Sequence, residues 1–187
     1  MVKKILVIVM VLCFATIAVS AKLISFGFGA HALLPKDNTD VVEEWAFGGE
    51  VRLKVLFAEG VISALYEPDN RTASLVTVGT SMNLFGLLHV GLGVGPAFSL
   101  EESGKEVHWA YMDTDQAYQA APDLGSAFDQ GLIHYRAHGD IKVGRLSFGL
   151  TYQVPSQGFT LDDNDVAKLG PAWGDGRIGT SLLFWLF

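Results

Sequence analysis

The chain of 187 residues has one cysteine, Cys13, and it sits inside an apolar run near the amino terminus. If that run is removed, no disulfide, thiolate metal site or cysteine nucleophile remains. A small secreted fold stapled by disulfides is thereby excluded. Met10, Val11 and Leu12 lack the small side chains that a lipoprotein signal places before its acylated cysteine. A basic stripe is missing as well: thirteen Lys and Arg stand against twenty Asp and Glu, a formal charge of −7. Nucleic acid, which calls for clustered positive charge, is excluded as a partner. Beyond residue 21 no apolar run reaches the ~20 residues of a spanning helix. A chain of this kind enters a bilayer only as a closed barrel, which pairs every backbone polar group without water.

What is present begins with an address. Lys3 and Lys4 precede an apolar run from Ile5 to Val19, which ends in Ser20 and Ala21. A basic start, a short apolar centre and small residues at the end form the pattern of a secretory signal peptide. Cleavage after Ala21 is expected, giving a signal peptide over 1–21 and a mature domain over 22–187. Loss of Lys3 and Lys4 takes the charge from −7 to −9.

The mature part alternates with period two, the repeat that puts successive strand side chains on opposite faces. Eight such segments are predicted: 23–34, 45–57, 61–66, 73–82, 87–97, 132–143, 146–154 and 177–187. In the clearest, Trp45, Phe47, Val51, Leu53, Val55 and Phe57 oppose Glu50, Arg52 and Lys54. One face suits hydrocarbon and the other a polar interior. Locally, a half-buried antiparallel strand with one wet face shows the same alternation. The connections separate the two. Short ones (58–60, 83–86, 144–145) alternate with longer ones (35–44, 67–72, 98–131, 155–176). Outer-membrane barrels have short periplasmic turns, longer outside loops and an even strand count.

The polar face forms an expected interior network: Glu50, Arg52, Lys54, His89, Arg136, His138, Asp140 and Lys142, with His134 beside them. An eight-stranded barrel is filled by side chains, and charges enclosed there must pair. Pairing of the fifth and sixth segments would bring His89 next to Asp140. At the other end of the chain Leu183, Trp185 and Phe187 share one face of the closing strand. That face, with Trp45, Val55 and Phe148, is expected to meet lipid.

Residues 22–187 as a whole resemble the small eight-stranded bacterial outer-membrane barrels, the class of the outer membrane protein A transmembrane domain and outer membrane protein X. The resemblance implies an all-β, antiparallel, up-and-down transmembrane barrel located in the bacterial outer membrane. Its implied partners are outer-membrane lipid and lipopolysaccharide, and the barrel-assembly machinery, which would read Leu183, Trp185 and Phe187. A structural, adhesive or surface-recognition role is expected, with an extracellular ligand met by the loops. Trp109, Tyr111, Tyr118 and Trp173 are the contact candidates, since aromatic residues are enriched at binding hot spots.

A narrow channel for small solutes and a lipid A-modifying enzyme are the alternatives. Ester hydrolysis needs serine, histidine and an acid within hydrogen-bond reach. His134 and His138 stand roughly 13 Å apart on a strand, too far for one metal, and no serine lies beside either. No catalysis, cofactor or metal is therefore expected. Seventeen of the twenty acids fall in the four longer connections, against Lys36, Arg71, Lys105 and Lys168. Asp113 and Asp115, and Asp162, Asp163, Asn164 and Asp165, offer oxygen ligands of the kind calcium takes, without the spacing of an EF-hand. Loops kept soluble by their charge are the plainer reading.

Overall fold

A computed structural model shows how the segments close, and it describes residues 23–35, 44–68, 71–103, 106–113, 117–163 and 165–186. The expected signal peptide with Cys13, and Phe187, Lys36, Lys105, Asp115 and Asn164, lie outside the described residues. Ten strands follow one another: β1 Ile24–Pro35, β2 Ala46–Val55, β3 Ala58–Glu67, β4 Arg71–Leu84, β5 Leu88–Ser103, β6 Glu106–Met112, β7 Tyr118–Ala121, β8 Ile133–Val143, β9 Leu146–Pro155 and β10 Arg177–Trp185. One short helix, α1 (Leu124–Gln130), stands between β7 and β8.

Eight strands make the wall. The order is β1-β2-β3-β4-β5-β8-β9-β10, every neighbour is antiparallel, and β10 pairs back onto β1. The sheet is a closed eight-stranded barrel, so the wall has no free edge. β5 belongs to two structures. Its residues 88–96 pair with β8, while 98–103 pair with β6 on that side and, through Glu101, still with β4 on the other. The Ala97 amide donates to the Leu132 carbonyl at 3.0 Å where the two part. β6 and β7 therefore continue the sheet from the extended β4–β5 pair beyond the reach of β8, with α1 after them, in a stretch expected to be loop.

The short connections mark one end of the barrel. Gly144 and Arg145 form the expected turn, with Gly144 at φ +65°. The turn expected at 58–60 is instead made by Leu56 and Phe57, with Leu56 at φ +56°. Val55 pairs with Ala58 and Lys54 with Glu59, so β3 runs ten residues rather than six. Gly60 was the misleading signal: it is an ordinary strand residue, and the left-handed position falls on a leucine. The turn expected at 83–86 is displaced to 85–87, with Phe85 and Gly86 both at positive φ.

The face of the closing strand is the largest correction. Leu183 and Trp185 are 0% and 5% exposed and point into the barrel. Ile178, Leu182 and Leu186 take the outside instead. The reason is the indole N–H, which needs a partner that hydrocarbon does not offer. Inside, Trp185 Nε1 donates to Ser147 Oγ at 2.9 Å, and the ring fills space opposite Gly27, where a Cβ would lie 3.0 Å from it.

Candidate functional site

With the wall closed and the side-chain period two, one parity of every strand is forced inward. The inward side chains form three layers. The middle layer is ionic. Glu50 accepts from Arg52 Nε through one carboxylate oxygen and from Arg136 Nη2 through the other. Arg52 reaches on to Asp140, Nη1 to Oδ2 at 2.5 Å, and Arg52 Nη2 lies 3.4 Å from Ser181 Oγ. His31 Nδ1 lies 3.1 Å from Glu50 Oε2, off the line of a hydrogen bond. Glu50, Arg52, Arg136 and Asp140 are each at most 2% exposed. The Arg136–Glu50 and Arg52–Asp140 pairs join β2 to β8, far apart in the chain, so the network is a cross-brace through the lumen. Gly149 makes room for it, since a Cβ there would overlap Asp140 Oδ1.

The second layer lies toward the short turns. Glu59 from β3 faces His89 from β5, Nε2 to Oε2 at 2.7 Å, and His138 from β8, Nε2 to Oε1 at 3.0 Å. Lys142 Nζ sits 3.9 Å above the Trp185 ring, a cation–π contact. Asn83 Oδ1 receives His89 Nδ1 at 2.8 Å and Lys142 Nζ at 3.3 Å. The layer is capped by Trp185, whose ring stands edge-on to His89 at 5.6 Å between centroids.

The third layer, toward the long loops, is largely apolar. Leu33, Ala46 and Leu65 pack together at the wall. Beyond them lies a cavity of about 150 Å³, lined by Leu65, Leu75, Phe98, Met112, Ser63 and Gln153 among others. Glu67 stands at its rim, taking Arg177 Nη1 at 2.5 Å and the Tyr118 hydroxyl at 3.4 Å. The guanidinium of Arg71 covers the Tyr118 ring at 3.4 Å and also donates to Glu101 Oε1 at 2.8 Å. Burial, then the Glu67 carboxylate, push the Tyr118 phenol above its ordinary value. β7 is thereby tied to the barrel mouth.

The expected interior residues come together well. Glu50, Arg52, Lys54, His89, Arg136, His138 and Asp140 are all buried, Lys142 is half-buried, and His89 is the register partner of Asp140. His134 sits apart, at the cavity, with Nδ1 3.0 Å from the Leu132 carbonyl. Two acids were misplaced by sequence reasoning. Glu59 was read as a turn residue and Glu67 as part of an acidic loop, yet both face inward on β3. The signal that finds them is parity: Glu59, Val61, Ser63, Leu65 and Glu67 are alternate residues, and all five are buried.

The loop aromatics divide. Trp109 packs on Phe98 at 6.0 Å and Tyr118 is clamped at the mouth. Tyr111 is half-buried on β6. Trp173 is 64% exposed and stacks on Tyr152 with an interplanar angle of 7°. Three acids of the two clusters, Asp113, Asp163 and Asp165, make local bonds. Asp113 accepts from the Ala117 amide and Gln119 Nε2. Asp163 accepts from Lys168 Nζ and the Asp165 amide, and Asp165 from the Ala167 amide. No family model matches the chain, and no curated protein proved similar enough to count as a relative.

Proposed function

We propose that the protein is an integral outer-membrane barrel with a plugged lumen, whose role is structural, adhesive or in surface recognition at its long-loop end. One observation carries this reading: the outside of every wall strand is apolar, while the inside is ionic from its middle to the short turns. Ile24 and Phe28, Leu53 and Val55, Ile62, Val78, Leu92, Ile141, Phe148 and Leu150, and Leu182 are each between 43% and 65% exposed, and together they sample all eight strands. Such a belt far exceeds the few hundred Å² of apolar patch that a soluble monomer tolerates, and a bilayer is the solvent that suits it. No helix among the described residues is long and apolar enough to cross a membrane; in this reading the wall strands do so.

The bracing of Glu50, Arg52, Arg136 and Asp140 favours a plug over a channel, because conduction would need these pairs to part. Recognition is left to β6, β7, α1 and the Trp173 segment, which stand beyond the wall. The test is fractionation and recording on one preparation. The folded chain should remain with carbonate-washed outer membranes and migrate faster on gels unheated than boiled. Purified into planar bilayers, it and a His89→Ala variant should give no large ohmic steps. Monodispersity in plain buffer would overturn the membrane reading, and large steps from the unaltered chain would overturn the plug.

A further inference from the structure

We infer that Glu59, His89 and His138 form a binding site for a first-row transition ion, with zinc the best fit, inside the lumen at the short-turn end. The inference rests on the closed lumen and not on the bilayer, since the three residues converge in either solvent. They come from β3, β5 and β8, and their donor atoms all lie within 4.8 Å of one another. Glu59 is 3% exposed, His89 0% and His138 8%.

Hydrogen bonding makes the case. Asn83 Oδ1 already accepts from Lys142 Nζ, and His89 Nδ1 lies 2.8 Å from the same oxygen. Nδ1 must therefore carry a proton there. In a neutral ring the other nitrogen then holds a lone pair. Yet Nε2 faces a carboxylate oxygen 2.7 Å away, and two acceptors at that distance need a cation between them. The same holds across the layer. Glu59 Oε1 and His138 Nε2 lie 3.0 Å apart without the geometry of a hydrogen bond, and His138 Nδ1 and Ser81 Oγ are buried with no hydrogen-bond partner among the described residues. Buried polar groups are seldom left so. A metal bound by His138 Nε2 and Glu59 Oε1 would satisfy two of them.

The occupant is either a proton on each imidazole or one metal ion. Protons on both imidazoles would answer the two contacts to Glu59 one at a time, whereas a single metal ion would engage all three side chains at once. Either occupant leaves His138 Nδ1 and Ser81 Oγ to be met otherwise. Two imidazoles and a carboxylate are the donors of an open zinc site, with a fourth position for water. Bonds of 2.0–2.1 Å in a tetrahedron set donors about 3.3 Å apart. The two histidines contact different oxygens of Glu59, at 2.7 and 3.0 Å, and one donor from each residue lies within 4.8 Å of the others. Side-chain rotation would have to bring the three onto one ion. Asn83 supplies the outer partner that fixes ring orientation at metal-bound histidines. Gly91 seats the second ring, because a Cβ there would run into His138. Lys54, the register partner of Glu59, and Lys142 face this layer and oppose another positive charge. The site therefore selects an ion that bonds strongly to imidazole over calcium or magnesium, which prefer oxygen.

The test uses the untagged full chain folded in detergent, exposed to zinc sulfate, desalted and assayed for metal by mass spectrometry. About one zinc per barrel is expected for a three-ligand site, with loss in His138→Ala and Glu59→Gln and retention in Trp173→Ala. Asn83→Ala, which leaves the donors intact, should weaken binding by about 10-fold or more. Heat-modifiable migration reports whether each variant has folded. Should the ligand variants not fold, X-ray absorption on the unaltered chain decides, and imidazole scattering around zinc is the expected spectrum. Absence of retained zinc in the unaltered barrel, equal retention in folded His138→Ala, or a zinc spectrum without imidazole would overturn the site.

Discussion

The two halves of the lumen are filled by opposite means. From the short turns to the middle, the space is taken by ions and rings: Lys54, Glu59, His89, Glu50, Arg52, Arg136 and Asp140, with Trp185 beneath. Toward the long loops it is taken by Leu33, Ala46, Leu65 and Leu75, and a cavity is left over. The ionic half is directional, because Glu50, Arg52, Arg136, Asp140 and Glu59 each have a specific partner on another strand. The apolar half is tolerant, because a void beside Leu65 already exists. A barrel that needs one register and one shape can take both from the braced half. The other half is left free to carry variable structure above it.

The sharpest way to break this comparison is Glu50→Ala. It leaves Arg52 and Arg136 buried, with Asp140 alone to compensate both, and removal of one partner of a buried ion pair costs about 3–5 kcal/mol. Urea unfolding of the barrel from lipid vesicles should show that loss as a lower midpoint at unchanged slope. Leu65→Ala in the apolar half should cost less, near the ~2 kcal/mol low end for leucine truncation, because the wall there already borders empty space. Equal losses at the two positions would erase the distinction between the halves.

How much of this was legible follows the same division. Parity in the sequence placed Arg52, Arg136 and Asp140 inside, because charged residues alternating with Leu53, Ala137 and Ile141 leave one choice of face. Parity also gave the wall strands and their alternation of short and long connections. It failed where both parities are apolar. In 182–187 the pattern could not say which face is inside, and the indole hydrogen bond of Trp185 to Ser147, a contact between residues 38 apart, made the choice. It failed again at Gly60, where a glycine suggested a turn and concealed Glu59. The metal candidates went unseen for that reason: His89 and His138 were legible as inward, and their shared carboxylate was not. The extension β6, β7 and α1 was unreadable because its packing depends on Phe98 and on Glu67 and Arg71, all outside its own sequence.

The clamp at the mouth offers the next, smaller test. Tyr118→Leu removes the ring under Arg71 and the hydroxyl near Glu67. A half-buried cation–π contact is worth about 0.5–2 kcal/mol, so the loss should free β7 and leave the barrel alone. Limited proteolysis near residues 113–118 should quicken while the urea midpoint holds. The phenol is held above its ordinary value, so its contribution is full below the unfolded tyrosine value and fades as pH rises through the folded one. Cleavage in the unaltered chain should therefore quicken in alkali, and Tyr118→Phe should abolish that dependence.

The smallest effect belongs to the cap of α1. Asp123 is extended at φ −155°, and its Oδ1 accepts the Ser126 amide at 2.8 Å. That amide holds the carboxyl below its ordinary value of 3.8. A carboxylate with a depressed folded value stabilises fully above the unfolded one and loses its contribution as pH falls through the folded one. Above pH 3.8 the helix should therefore be constant, and below it the carbon shifts of Ser126 and Ala127 should drift toward coil. Asparagine is as good a cap and carries no charge, so Asp123→Asn should keep the helix and flatten the pH profile. Asp123→Ala should weaken the helix at every pH. The wall should register neither change, since Asp123 touches only α1 among the hydrogen bonds of the described residues. A profile in Asp123→Asn that still bends near pH 3.8 would show that the cap is not the source of the acid sensitivity.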